Sequence, residues 1–421
     1  MPTPAPFEAL TIETLPARLG ELEALATRLG GDSSVWKVRE VGDGNLNLVF
    51  IVEGSNGSAV VKQALPYVRL VGESWPLPLK RSFFEYHALA RQEIRAGKGT
   101  VPAIYHFDEA QAFIVMEYLS PHVILRKALI AGRELPRIAE HLGLFTARTL
   151  FRGSDLHMVA RNRKSDLALF ADNVELCDIT ENLVFTDPYF DAAMNRHTPG
   201  LGVLVQELRS DRDLKVEAQH MKHLFAAKAE TLLHGDLHTG SIMVTDDDTR
   251  VIDPEFAVYG PMAFDIGMLL ANFWMSYFSQ SGHEMDGSRD SVRDYLLRTT
   301  AEIWAIFRAE FSRLWRTERS GMLYAASIFE NDRLGSEQAL DHVLHALWED
   351  LVGFAGVEIH RRILGLAHNA DFEKIADEAL RARCEAPALR FGRHLVVNRR
   401  QIYSIDEVNS LAVLMEKEAT A

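Results

Sequence analysis

The sequence predicts an α+β protein of two lobes, a small antiparallel sheet within residues 1–119 and a larger, mostly helical lobe over residues 120–421. Three observations predict it. Short strand-like runs separated by glycine turns fill the stretch from Trp36 to Tyr118. Helical periodicity dominates from Arg126 onward. Two acidic clusters, each led in by a short apolar run, interrupt that helical part. A chain of 421 residues, 47% of them hydrophobic, has enough apolar surface to bury for two or three separate cores.

Taken in order, Leu10 to Arg28 carries Leu15, Leu19, Leu22 and Leu25 at helical spacing and is expected to form one amphipathic helix. Gly30-Gly31 punctuates the chain after it. Trp36 to Glu40, Leu46 to Val52 and Ser58 to Gln63 read as strands, separated by turns at Gly42 to Gly44 and Gly54 to Gly57. Leu79 to Arg95 reads as a helix, and Ala103 to Phe107 with Ala112 to Tyr118 completes the sheet. Between them, Gly97-Lys98-Gly99-Thr100 resembles a phosphate-binding Walker loop, but Gln92 stands where that motif needs its leading glycine, so a plain turn is expected. In the second lobe the clearest helical patterns are Pro136 to Phe151, Gly202 to Leu224, Gly260 to Phe278, Ser291 to Thr317 and Glu337 to Ala367. Asp155 to Arg163 and Glu181 to Pro188 read as loops.

The formal net charge of −14 argues against a nucleic-acid partner, because binding a phosphate backbone needs a basic face. Cys177 and Cys384 make up the whole cysteine complement, too few for a disulfide framework and in keeping with a reducing compartment. Met1 to Pro6 has neither a basic region nor an apolar run behind it, unlike a secretory signal. The most apolar segment, Pro261 to Phe278, contains Asp265 and is too short and polar to span a bilayer. A cytoplasmic protein with no membrane partner is expected.

The chemistry concentrates in His234-Gly235-Asp236-Leu237-His238-Thr239-Gly240-Ser241, followed by Asp253-Pro254-Glu255. Asp236 lies in a loop too glycine-rich to continue a helix, where a carboxylate can orient an acceptor hydroxyl and accept its proton. Asp253 and Glu255, two residues apart, would point to one side of an extended segment. Hard oxygen ligands grouped in this way suit Mg²⁺. A base and a metal clamp are what phosphoryl transfer requires; the plainer alternatives are a loop cap and a surface turn around Pro254. His234 and His238 have a zinc-chelating spacing, but Gly235 spoils the helix it needs and no third ligand is indicated. Asp265, opening an apolar helix, is expected to brace the backbone amides of the catalytic loop. A Gly-Asp-Gly turn alone is a common hairpin. Followed by Lys62 on the third strand and Glu85 on the next helix, it reads as a nucleotide site in which the ammonium bridges the α- and β-phosphates and Glu85 holds it there. Met116-Glu117-Tyr118-Leu119 ends the last strand.

The order His-x-Asp, apolar strand, metal-binding Asp is similar to the catalytic half of protein kinases. It departs from them at Gly235, at Pro254-Glu255 and at Ser241, where protein kinases have Arg, Phe-Gly and Asn. The glycine and the Asp-x-Glu are similar to kinases of small molecules, including choline and aminoglycoside phosphotransferases. The longer strings from His234 to Met243 and from Asp253 to Gly267 resemble one family in particular, the methylthioribose kinases of methionine salvage. Val41 to Phe50 resembles that family's nucleotide loop, Pro66 to Leu77 its tryptophan-containing loop, and His360 to Gly365 its paired arginines.

The resemblance implies a protein-kinase-like fold with the ligand site in the cleft between its lobes, ATP and Mg²⁺ as cofactors, and transfer to the anomeric hydroxyl of 5-methylthioribose. It implies that Asp236 is catalytic and that Asp253 and Glu255 hold the metal. Gly42, Gly44, Asn45, Asn47, Lys62, Glu85, Glu117 and Leu119 would hold the nucleotide. Arg361 and Arg362 would hold the sugar hydroxyls and the migrating phosphoryl group, although helix neighbours diverge by about 100° and so would both reach a ligand only near its flank. Trp75 is either a lid over the substrate or a packing residue. With Ser241 in place of asparagine, Glu255 is expected to carry more of the metal binding. Relatives suggest a homodimer. Two other readings stay open. A kinase of choline-like or aminoglycoside acceptors would need an acidic or aromatic subsite. A nucleotide-binding module without turnover would be expected to have lost Lys62, Asp236, Asp253 or Glu255.

Overall fold

The computed structural model describes residues 7–42, 46–69, 72–284 and 287–420, so the expected nucleotide-loop residues Gly44 and Asn45 lie outside the described residues. The chain divides into two compact units, Met1–His122 with Arg250–Ala257, and Val123–Thr249 with Val258–Ala421. A single cut near residue 120 therefore misses one feature: a short segment from far along the chain belongs to the first unit.

In the first unit, β1 (Lys37–Glu40), β2 (Asn47–Glu53) and β3 (Ser58–Ala64) form a meander, and a short hairpin of β4 (Tyr67–Val68) and β5 (Gly72–Pro76) follows. With β6 (Ile104–Asp108) and β7 (Phe113–Glu117), the sheet has the order β1-β2-β3-β7-β6, each neighbouring pair antiparallel. Side chains alternate across a strand, so Ala59, Val61 and Gln63 of β3 are buried while Val60 and Lys62 are only half-buried. Ala59 and Val61 join Phe50, Val52, Phe113 and Val115 in a core that the leucines of the leading helices complete.

Those leucines do not lie on one helix. The expected helix breaks at Leu22, whose backbone is extended, into α1 (Leu15–Gly20) and α2 (Glu23–Leu29). The break lets Leu15 and Leu19 on one piece, and Leu25 and Leu29 on the other, all bury against the sheet. The end of α2 comes close to the β2–β3 turn: a Cβ on Gly54 would sit 2.3 Å from the Leu29 carbonyl oxygen, so only glycine fits there. After α3 (Arg81–Ala96), Gly97 and Gly99 both have positive φ, and Gly97-Lys98-Gly99-Thr100 is a turn.

The second unit opens with β8 (Val123–Ile124), α4 (Leu125–Ile130), α5 (Ile138–Arg152), α6 (Ala160–Phe170), α7 (Val174–Phe185), α8 (Gly202–Ser210) and α9 (Arg212–Ala227). The Gly202 to Leu224 pattern thus splits in two, because Asp211 is extended and its carboxylate caps α9 by accepting from the Leu214 N–H. The two expected loops are partly helical: residues 155–159 are loop, but α6 begins at Ala160. The buried face of α6 includes Arg163 and Asp166, engaged with the ring and hydroxyl of Tyr259, so its apolar period is masked; α7 covers most of Glu181 to Pro188.

Next come β9 (Thr231–Leu232) and the loop that carries His234 to Ser241, β10 (Ile242–Val244), then β11 (Thr249–Val251) and β12 (Tyr259–Gly260), which pairs with β9. Helices α10 (Ala263–Ser279), α11 (Asp290–Thr317), α12 (Arg333–Leu364), α13 (Ala370–Glu373), α14 (Glu378–Asn398) and α15 (Ile405–Thr420) finish the chain. The last two do not stand out in the sequence. The buried face of α14 mixes Glu385, Pro387 and Gly392 with its apolar residues. Every residue of α10 is buried, and it packs against α11, α12 and α14, so its all-round hydrophobicity is that of a core helix. No helix among the described residues is long and apolar enough to cross a membrane.

Candidate active site

The first unit gathers one set of predicted residues. Lys62 projects from β3, and its Nζ lies 2.8 Å from Glu85 Oε2 on α3 and also bonds Asp253. Burial would pull the ammonium down, but Asp253, Glu85 and Glu255 outweigh it and hold Lys62 firmly protonated. Burial pushes the Glu85 carboxyl up; Lys62 opposes this, and the Asp253 and Glu255 charges reinforce it. Asp253 reaches Lys62 through a left-handed backbone, φ 68°. The expectation of an extended Asp-Pro-Glu segment is therefore corrected: the chain turns at Asp253, a conformation that aspartate tolerates better than most residues.

Even so, Glu85, Asp253 and Glu255 each place a carboxylate oxygen within 4.8 Å of the others. The segment is held in this unit by the Val251 N–H donating to Thr100 O at 2.9 Å and by Arg250 lying 3.3 Å from Glu117.

Arg81, at the start of α3, did not stand out in the sequence. Its guanidinium is fully buried, donates to the Leu46 carbonyl and to Asn47 Oδ1, and lies 3.4 Å from Glu255. The available signal was a cation at a helix N-terminus, where the backbone dipole disfavours it unless it has a partner. Asn47 completes the link by donating from Nδ2 to Glu255 Oε2 at 3.0 Å. The cluster thus sets three carboxylates against two cations. Its oxygen-only donor set fits a hard divalent cation.

Of the remaining expected nucleotide residues, Gly42 lies in a turn where a Cβ would meet nothing within 4 Å. Glu117 ends β7 and accepts from the Ala103 N–H, and the Leu119 side chain is buried. Trp75 is half-buried on β5.

The second unit gathers the other set around Asp236. Asp265, in the first turn of α10, accepts from the His234 N–H at 2.7 Å and the Gly235 N–H at 3.1 Å, fixing the turn on which Asp236 stands. Asp236 Oδ1 accepts from Arg361 at 3.2 Å and from Arg362 at 3.1 Å. Its Oδ2 lies 3.2 Å from His238 Nε2. Because His238 Nδ1 accepts from the Gly240 N–H at 2.9 Å, the ring proton is on Nε2 and is donated to Asp236. Burial pushes the Asp236 carboxyl up, but His238, Arg361 and Arg362 outweigh it and hold it well below the ordinary carboxylate range. Burial lowers His238 to about 4 against the pull of Asp236, so its ring is neutral near pH 7. Ser241 Oγ donates to the Asp236 carbonyl oxygen at 3.0 Å and lies 3.1 Å from His238 Nδ1.

Arg361 and Arg362 sit in the last turn of α12, both buried. They converge rather than diverge. Their long side chains bend back toward Glu358, which lies three and four residues earlier on the same helix and meets Arg361 at 3.2 Å and Arg362 at 2.7 Å. Arg126 on α4 adds a third, partly buried guanidinium, bonded to Thr239 and Asn272 and 3.2 Å from Asp371. Glu358 was readable only as a helix-spaced charge; Arg126 had no signal beyond being charged. His238 serves Asp236, and the close group of metal-type ligands found among the described residues, Glu85, Asp253 and Glu255, includes neither His234 nor His238.

Residues 37–309 match the model of the family described as "Phosphotransferase enzyme family". Methylthioribose kinase of Escherichia coli O45:K1 (strain S88 / ExPEC) is 44% identical over 407 residues, 96% of this chain and 97% of that relative. Methylthioribose kinase 1 of Oryza sativa subsp. japonica is likewise 44% identical over 407 residues, covering 96% and 94%. Methylthioribose kinase of Geobacillus thermodenitrificans (strain NG80-2) is 44% identical over 398 residues, covering 94% and 96%.

Proposed function

The chain belongs to the phosphotransferase enzyme family and, within it, to the methylthioribose kinases, and from this premise we propose that it transfers the γ-phosphoryl group of ATP to the anomeric hydroxyl of 5-methylthioribose. It is a small-molecule kinase acting in methionine salvage. The observation that carries the catalytic assignment is the Asp236 carboxylate strung between His238 and two arginines.

A carboxylate held so far below its usual range is a weak base. Asp236 therefore acts chiefly by accepting a hydrogen bond from the acceptor hydroxyl and aligning it. In the loose transition state of phosphoryl transfer, little deprotonation is needed early. Arg361 and Arg362 retain donors for ring hydroxyls and for the charge on the transferring group. Lys62, kept charged by its three carboxylates, bridges the α- and β-phosphates, and Glu85 fixes its position. Gly42, Gly44, Asn45, Asn47, Glu117 and Leu119 complete the nucleotide contacts.

Asp253 and Glu255 are the residues that would hold Mg²⁺, which when bound neutralises charge on the phosphate oxygens. Asn47 and Arg81 keep Glu255 oriented for that task. Trp75 is assigned to the acceptor side. The methylthio group asks for a mostly apolar surround, since its burial removes roughly 25 cal/mol per Å² from water. The same reading puts the enzyme in the cytoplasm as a homodimer. Both of its cysteines are free thiols, as a reducing compartment allows; a solution mass of one chain would remove the dimer.

ATP turnover compared at equal concentrations of methylthioribose, ribose, choline and an aminoglycoside tests the acceptor. Methylthioribose should lead and ribose should follow. A lead for choline or the aminoglycoside would refute the acceptor while leaving the kinase standing.

A further inference from the structure

We propose that Glu358 is a positioning residue of this reaction: its buried carboxylate strings Arg361 and Arg362 between itself and Asp236, and so keeps both guanidiniums from closing onto Asp236. This rests on the reading that the two arginines serve the acceptor and the phosphoryl group.

Glu358 is completely buried, and all of its recorded partners belong to the same unit. Its Oε2 accepts from Arg361 Nη1 at 3.2 Å. Its Oε1 accepts from Arg362 Nε at 2.7 Å and from Asn272 Nδ2 at 3.2 Å. Each arginine also reaches Asp236 Oδ1: Arg361 through the same Nη1, Arg362 through Nη2. Two guanidiniums thus span two carboxylates, and the four charges cancel. Arg361 Nε is buried and has no hydrogen-bond partner among the described residues, so both carboxylates hold this guanidinium through Nη1.

Without the Glu358 charge, the strongest remaining partner for both arginines is Asp236. A planar guanidinium pairs with a carboxylate through two parallel bonds. Such closure would cover the oxygens on which an acceptor hydroxyl must dock. Asn272 ties the arrangement to α10 and Arg126: its Nδ2 holds Glu358 while its Oδ1 accepts from Arg126 at 2.8 Å. Glu358 itself touches neither Asp236 nor, on this reading, the substrate, so whatever it does for turnover it does through the arginines.

The test is a double-mutant cycle in the full-length enzyme. Glu358→Gln should lower kcat/KM for methylthioribose on the order of 10²-fold, the cost of misplacing catalytic groups by about an ångström. The KM for ATP should change less than that for methylthioribose, because the residues assigned to the rest of the nucleotide, Lys62 and Glu85 among them, bond one another and not Glu358. Placed on an Arg361→Ala/Arg362→Ala background, the same change should cost little more, since residues acting as one unit are not additive. Glu358→Asp, which keeps the buried charge but shortens its reach, should fall between native and Gln; it carries the test if the Gln variant does not fold. Thermal unfolding is read alongside. Lost stability with intact kcat and acceptor KM, or a loss that adds in full to that of the arginine variant, would overturn the proposal. Failure of the native enzyme to use methylthioribose would strike the acceptor assignment alone, and the cycle would then be run on the alcohol it does phosphorylate.

Discussion

At the scale of single residues, Asp236 shows how neighbours in space set the charge of a buried carboxyl. Buried alone it would be neutral; with His238 and two arginines on its oxygens it is an anion throughout the physiological range. Asp236→Asn keeps the shape but turns one acceptor oxygen into a donor facing guanidinium or imidazole N–H groups. Turnover should fall by about 10²- to 10⁴-fold, while ATP titrated against the same variant should still bind, since Lys62 and Glu85 are untouched. Near-native turnover in a folded Asn variant would remove the catalytic assignment.

Ser241 poses a second question at this scale. Its hydroxyl is engaged by the Asp236 carbonyl and His238, whereas Glu255 belongs to the carboxylate cluster. Glu255→Gln should therefore shift the magnesium dependence of turnover to higher concentration, and Ser241→Ala should shift it less. Equal shifts in a magnesium titration would show that the serine shares the metal.

At the scale of elements, helix ends do the positioning. The first turn of α10 presents Asp265 to the amides of His234 and Gly235, and the last turn of α12 presents the arginine pair. Away from the site, α14 carries a buried carboxyl that no catalytic role requires. Glu385 Oε2 has no hydrogen-bond partner among the described residues. Burial pushes this carboxyl up to about 7, with Glu373 adding to the shift and Thr198 and Arg381 opposing it. The folded state thus binds a proton that the unfolded state releases near 4.5. The stability conferred by the neutral form is fully present below pH 4.5 and is lost as pH rises toward 7. Glu385→Gln mimics the neutral form at every pH. Its stability relative to the native protein should therefore improve across that window, by up to about 1.4 kcal/mol per pH unit. Unfolding midpoints measured for both proteins at several pH values check this; a constant gap would mean that Glu385 does not titrate there.

For the whole molecule, stability depends on segments far apart in the chain. Asn409 on α15 accepts from Trp274 Nε1 at 2.9 Å and Thr300 Oγ1 at 3.0 Å, and donates to the Leu297 carbonyl at 2.9 Å. One amide side chain thus ties the last helix to α10 and α11. Asn409→Ala leaves polar groups on both helices without their partner, a cost of about 1–3 kcal/mol for each buried group. The denaturant midpoint should fall accordingly, with kcat per folded molecule unchanged. A loss of kcat without loss of stability would place α15 in the chemistry instead.

Local properties settled what the sequence by itself determined. Strand alternation, helix periods and glycine turns depend on neighbours a few residues away, so the meander, α3, α5 and α11 were legible with near-correct ends. The motif residues Lys62, Glu85, Asp253 and Glu255 stood out in the sequence by their order, and folding brings them together. Tertiary structure decided what depends on contacts across long separations. The leading helix broke at Leu22 to fit the sheet, and α6 was concealed because its buried face is partly ionic. Residues Arg250–Ala257 joined the first unit through Thr100, Lys62 and Glu117. Arg361 and Arg362, neighbours that a helix would splay, converged because Glu358 lies one turn back and Asp236 stands in front of them. A carboxylate's neighbours in space, not in sequence, fix its charge and its hydrogen bonds, and only folding supplies them.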